Sequence, residues 1–211
     1  QRFCVSKRAR RPAVSQETIQ RLMVRSARRG KRVARLKSGD PFVLGRGGEE
    51  ALALKTAGIP FEVIPGISAA ISAPGLAGIP VTHRGLSSAF TVLSGHAPDA
   101  FEPVLRSLDP SAMTVVILMG LYYRKQIAKT LLGNGWSPET PCSIITAAST
   151  PKMSFWTGCL KDLAALDRTP DNCADMPGTI IVGEVARLSG VIGSGAMSTE
   201  TVDAIAWQRE G

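Results

Sequence analysis

The chain is short of histidine, cysteine and aromatic residues, and each shortage removes a class of function. Two histidines, His83 and His96, give an imidazole metal site little to build on. The four cysteines, Cys4, Cys142, Cys159 and Cys173, form no Cys-x-x-Cys pair and have no histidine at ligand spacing. No metal is expected, and the thiols read as reduced and buried. No apolar run approaches the length of a bilayer span, and residues 1–11 lack the hydrophobic stretch of a secretory signal. The chain therefore reads as cytoplasmic, with no membrane partner.

Acidic residues are nearly missing from one end. Residues 1–37 hold thirteen Lys or Arg against the single acid Glu17, a charge of +12, so the remainder carries −4 of the total of +8. Such a segment either draws in a polyanion, whether nucleic acid or a carboxylate-rich small molecule, or is a solvated helix face. The solvated face is the default for most of these charges. No aromatic residue is interleaved between Lys7 and Lys37, which counts against a nucleic-acid partner.

What is present is globular: 44% hydrophobic residues in 211 can bury one large core or two small ones. Ser15 is an N-cap, Glu17 suits a first turn, and Ile19, Leu22, Met23 and Ala27 recur at helical spacing before Gly30. Residues 31–36 read as a strand, 48–57 as a helix, 61–64 as a strand, and Ser68 as the cap of a helix to about residue 77. After a connector through Gly85 come strands at 89–93, 114–119, 142–146, 154–157 and 179–182, with helices near 101–108, 125–132 and 160–166. Strands alternating with helices predict an α/β fold in two domains, 1–82 and 83–190, with a loose tail over 191–211.

The densest chemistry lies in Arg35-Leu36-Lys37-Ser38-Gly39-Asp40-Pro41-Phe42-Val43-Leu44-Gly45-Arg46-Gly47-Gly48-Glu49-Glu50. Its glycines let backbone approach a ligand unscreened, at a strand end where α/β folds place their sites. Taken alone, such a loop is equally a tight strand-to-helix turn.

Together with Gly58-Ile59-Pro60-Phe61-Glu62-Val63-Ile64-Pro65-Gly66-Ile67-Ser68, Thr82-His83-Arg84-Gly85 and Ser94-Gly95-His96, this loop resembles the tetrapyrrole methylases, in particular the uroporphyrinogen-III C-methyltransferases. The resemblance runs from about residue 5 to 185, more strongly before residue 96. It implies two α/β domains with a cofactor cleft between them, usually in a homodimer. The implied activity is double C-methylation of uroporphyrinogen III to precorrin-2 with S-adenosylmethionine as methyl donor, toward sirohaem or cobalamin.

By matching motif, the resemblance implies donor contacts at Ser38, Gly39, Asp40, Val43, Ser68, Ala69, Met119 and Ala148. It makes Lys7 a catalytic proton donor. Arg8, Arg46, His83, Arg84 and His96 become candidates for the substrate carboxylates, the arginines ahead of the histidines because guanidinium pairs with carboxylate bidentately. Without the resemblance, Met119 reads as a core methionine, Lys7 as a solvated charge and the histidines as structural.

The pattern departs from the family at the start. The first strand, its Gly-Pro-Gly-Asp-type loop and the following aspartate have no counterpart upstream, so the sequence reads as a piece of a longer polypeptide. Ser38 stands where the uroporphyrinogen enzymes usually have Gly. Competing readings are an inactive chain that binds cofactor or partner only, and a related methylase acting on a precorrin, diphthine or ribosomal RNA.

Overall fold

The computed structural model describes residues 2–5, 14–110, 113–167 and 176–192. The chain divides into two compact units, residues 1–68 and 69–211. The division precedes the boundary drawn at residue 82, for a packing reason. Helix α3 (Ala69–Leu76) and the turn after it put Ala73, Ala77 and Ile79 into one apolar cluster with Ile145, Ile181, Val185 and Ala186 of the second unit.

The first unit contains two helices. In α1 (Gln16–Arg28) the amide of Thr18 donates to Ser15 Oγ at 3.2 Å, the expected cap, and Ile19 and Met23 are buried. In α2 (Gly47–Thr56) Glu49 and Glu50 occupy the first turn, where the helix dipole favours negative charge. The strands expected at 31–36 and 61–64 are not formed, and these residues belong to no ladder among the described residues. Sequence pattern sets an extended backbone, whereas a strand is completed by a neighbour's amides and carbonyls. Their apolar side chains are correspondingly open, with Leu36 85% and Ile64 75% exposed.

The second unit is a mixed five-stranded sheet, ordered β1 (Phe90–Ser94), β2 (Thr114–Leu118), β5 (Gly178–Val182), β3 (Pro141–Thr146), β4 (Ser154–Cys159). β1 and β2 are parallel, and β5 runs antiparallel to both β2 and β3. Leu118 and Ile145 share Thr179 as cross-strand partner, so β1, β2 and β3 all end at one edge. Helices α4 (Pro98–Ser107), α5 (Arg124–Gly133) and α6 (Leu160–Ala165) bring Phe101, Leu105, Ile127, Leu131 and Leu163 into one core with Val115, Ile117, Ile144 and Ile180. A 3-10 turn (Glu184–Leu188) and α7 (Ser189–Ile192) follow.

The thiols meet the expectation of burial only in part. Cys142 is buried, and loss of hydration, with Cys159 and Asp162 nearby, pushes its pKa far up. Cys159 is half-buried with Sγ 2.9 Å from Asp162 Oδ2, and Cys4 is exposed. Cys173 and the tail beyond Ile192 lie outside the described residues. No helix among the described residues is long and apolar enough to cross a membrane.

Candidate functional site

In the first unit, the loop after residue 36 is folded on itself by Asp40. Its carboxylate accepts from Phe42 N at 2.8 Å and from Gly66 N at 3.0 Å, tying the loop to the Pro65-Gly66 segment. The amide of Gly66, then that of Phe42, hold the Asp40 carboxyl below its ordinary range. Contact is so close that a Cβ on Gly66 would lie 2.2 Å from the Gly39 carbonyl oxygen. A Cβ on Gly47 would lie 2.4 Å from that of Pro41, whose oxygen accepts from Gly47 N. Gly39, Leu44 and Arg46 hold positive φ of 69°, 53° and 57°, the latter two unusual for side-chain-bearing residues.

Ser38, Gly39 and Val43 are exposed on this loop, and Ser68 is buried at the end of the unit. Arg46 is exposed but engaged, its Nε and Nη2 donating to the two carboxylate oxygens of Glu49 at 2.8 and 2.7 Å. A substrate carboxylate would have to compete with Glu49 for it. Lys7 and Arg8 lie outside the described residues. An open groove of about 810 Å³ along α1 is lined by Glu17, Arg21, Arg25, Arg28 and Arg29 among others, and by none of the expected site residues.

In the second unit, the shared edge of β1, β2 and β3 concentrates backbone strain. Met119, Ala147 and Ser149 take φ of 59°, 48° and 66°, and strained residues of this kind cluster where a protein binds or reacts. Met119 is 51% exposed instead of closing the core, and Ala148 is half-buried between two strained neighbours. Gly95 and Gly120 pack backbone to backbone, since a Cβ on Gly95 would lie 2.6 Å from Gly120 Cα, and Gly95 N donates to Leu118 O at 2.8 Å. His96 is exposed with Nδ1 2.8 Å from Ser94 Oγ, which orients its ring.

Ala69 is exposed at the start of α3. His83 sits in a turn, accepting from Leu86 and Ser87 amides through its carbonyl, and its Nδ1 is buried without a hydrogen bond among the described residues. Arg84 is exposed. Sequence reasoning missed Glu50, Ser94 and the Gly95–Gly120 contact. The Gly-Glu-Glu run at a helix start was the available clue to the first; Ser94 and Gly95 stand in the Ser94-Gly95-His96 motif, but the hydrogen bond of the one to His96 and the contact of the other with Gly120 leave no pattern in one sequence.

Strained loops at the carboxyl edge of an α/β sheet, with glycines where backbones touch, are where proteins of the α/β class place their small-ligand sites. The family profile described as Tetrapyrrole (Corrin/Porphyrin) Methylases matches residues 2–164, and the chain belongs to that family. It is 45% identical over 186 residues to the uroporphyrinogen-III C-methyltransferase of Methanocaldococcus jannaschii, covering 87% of this chain and 76% of that protein. It is 44% identical to siroheme synthase of Neisseria meningitidis serogroup C over 89% of this chain but only 38% of that larger protein. Among solved structures, the uroporphyrin-III C-methyl transferase of Thermus thermophilus complexed with S-adenyl homocysteine superposes with a TM-score of 0.70 at 41% identity. The match covers 82% of this chain and 74% of that one.

Proposed function

We propose that the chain is the C-methyltransferase that carries two methyl groups from S-adenosylmethionine to uroporphyrinogen III. The observation that carries this reading is a coincidence of place. The residues the family resemblance selects for the donor, above all Gly39 and Met119, stand at the left-handed backbone positions where each unit exposes its loops. The 45% identity to a protein of that activity supports the acceptor.

The residues present suit such a donor. Ser38 and Gly39 are exposed and carry little or no side chain, and Met119 is half exposed at the strand edge. Donor contacts are proposed at Ser38, Gly39, Asp40, Val43 and Ser68, and at Ala69, Met119 and Ala148. S-adenosylmethionine, when bound, supplies an electrophilic methyl. Each transfer breaks one carbon–sulfur bond and forms one carbon–carbon bond at a ring carbon that already bears a side chain, and the balancing proton leaves from elsewhere on the conjugated tetrapyrrole, a pyrrole nitrogen or an adjoining bridge carbon. The chain's own task is then alignment, exclusion of water and proton movement.

Arg8, Arg84 and His96 are proposed for the substrate carboxylates, with Arg46 and His83 secondary because Glu49 engages the one and a turn encloses the other. Lys7 is proposed as proton donor, on the resemblance. A cytoplasmic homodimer is proposed on the same ground.

Calorimetric titration of S-adenosylhomocysteine into the chain tests the reading. Saturable binding, weakened by Asp40→Asn and by Met119→Ala, is expected, followed by a two-methyl mass gain of uroporphyrinogen III. A folded chain that binds none sinks the assignment.

A further inference from the structure

Glu50 is the one buried charged residue among the described ones, 4% exposed in the first turn of α2. A carboxylate loses its hydration on burial and persists as a charge only with partners. Glu50 has three. Its Oε1 accepts from Gln16 Nε2 at 3.0 Å and Arg35 Nε at 3.1 Å, and its Oε2 from Lys37 Nζ at 2.9 Å. The cations are themselves drawn inward, with side chains 27% exposed for Arg35 and 13% for Lys37. Burial alone would raise the Glu50 pKa, and the bonds from Lys37, Gln16 and Arg35 outweigh it, so the group titrates below its ordinary value.

Lys37 immediately precedes Ser38, Gly39 and Asp40. On the other side of those residues, the Asp40 carboxylate takes the amides of Phe42 and Gly66. The exposed stretch is thus held at both ends, by Lys37 on Glu50 and by Asp40 on Gly66. Lys37 spends its charge inward, which removes it from the basic surface that could meet an acidic substrate.

We propose that Glu50 is a positioning residue for donor binding: it touches no ligand, and by anchoring Lys37 and Arg35 it presents the Ser38 to Asp40 backbone in one conformation. The inference rests on reading that loop as part of the donor site. A residue serving only the fold would lower stability without moving ligand affinity well below the melting temperature.

The test compares Glu50→Gln, which keeps shape and loses charge, with the unsubstituted full chain. Two quantities are read: amide hydrogen exchange of a peptide spanning residues 37–43 without ligand, and the Kd for S-adenosylhomocysteine. Exchange of that peptide should quicken while β2 and β3 stay protected. The Kd and the donor KM should rise roughly ten- to a hundredfold, as misplaced binding groups do, with kcat nearly unchanged. Should Glu50→Gln fail to fold, Lys37→Met should give the same changes in milder form, and Lys37→Arg, which keeps the pair, should restore affinity.

Unchanged exchange and unchanged Kd in both variants overturn the anchor. Quickened exchange with unchanged Kd leaves the anchor standing and overturns its role in donor binding. If the unsubstituted chain binds no S-adenosylhomocysteine, the donor reading fails and the proposal falls with it.

Discussion

At the scale of single residues, the candidate loop depends on atoms that are missing as much as on atoms that are present. A methyl group on Gly66 has nowhere to go, because the Gly39 carbonyl oxygen would stand 2.2 Å away and is backbone that cannot swing aside. Gly66→Ala should therefore destabilise the first unit by about 1–3 kcal/mol, as overpacking does, and weaken S-adenosylhomocysteine more than tenfold if the loop holds the donor. Denaturant titration and calorimetry read the two effects separately. The same change at Gly75 in α3, where an added Cβ would meet nothing within 4 Å beyond the neighbouring residues and the helix's own backbone, is the unhindered control and should cost nothing. Asp40 adds a pH dependence of known sign. Its folded pKa is depressed below 3.8, chiefly by the Gly66 amide, so its stabilisation is present above that value and lost as pH falls through the folded pKa. Loop order, followed by fluorescence of a probe on the chain, should be insensitive to this group above about pH 5 and fail only in stronger acid. Asp40→Asn should abolish that acid limb.

At the scale of elements, the sequence was most legible where a segment's fate is decided locally. Ser15, Glu17 and the Ile19 and Met23 spacing specify α1 within a few residues, and the apolar runs of β2, β3 and β5 are buried along their length, as such runs must be. What was illegible is what distant chain supplies. Residues 31–36 and 61–64 have strand-like sequences, yet pairing is a property of a neighbour, and among the described residues none provides it. Glu50 was hidden for the same reason, with partners 34, 15 and 13 residues away. The loop itself was visible through its glycines and its resemblance, whereas the pairing of Arg46 with Glu49 appears only in three dimensions. Hydrogen exchange should separate these classes: amides of β2, β5 and β3 slowest, those of 31–36 and 61–64 among the fastest outside the ends of the chain. Slow exchange in 31–36 would mean that a partner strand covers it in solution.

At the scale of the whole molecule, the two units differ in how much apolar surface they retire. Among the described residues of the first unit only Ile19 and Met23 are buried hydrophobics, while the second encloses Phe101, Ile117, Leu131, Ile144 and Ile180 completely. Limited proteolysis of the chain should therefore cut within residues 14–68 well before it cuts the sheet, and mass spectrometry of the early fragments checks the order. β5 gives the second unit a timetable as well as a shape. Among the described residues it is the last strand in sequence and the central one in space, seated between β2 and β3. On a ribosome, β1 through β4 emerge as two separate pairs, each with a bare apolar edge, until residues 178–182 leave the exit tunnel and lock them together. Synthesis halted just short of that strand yields two open half-sheets prone to pair with whatever strand comes first.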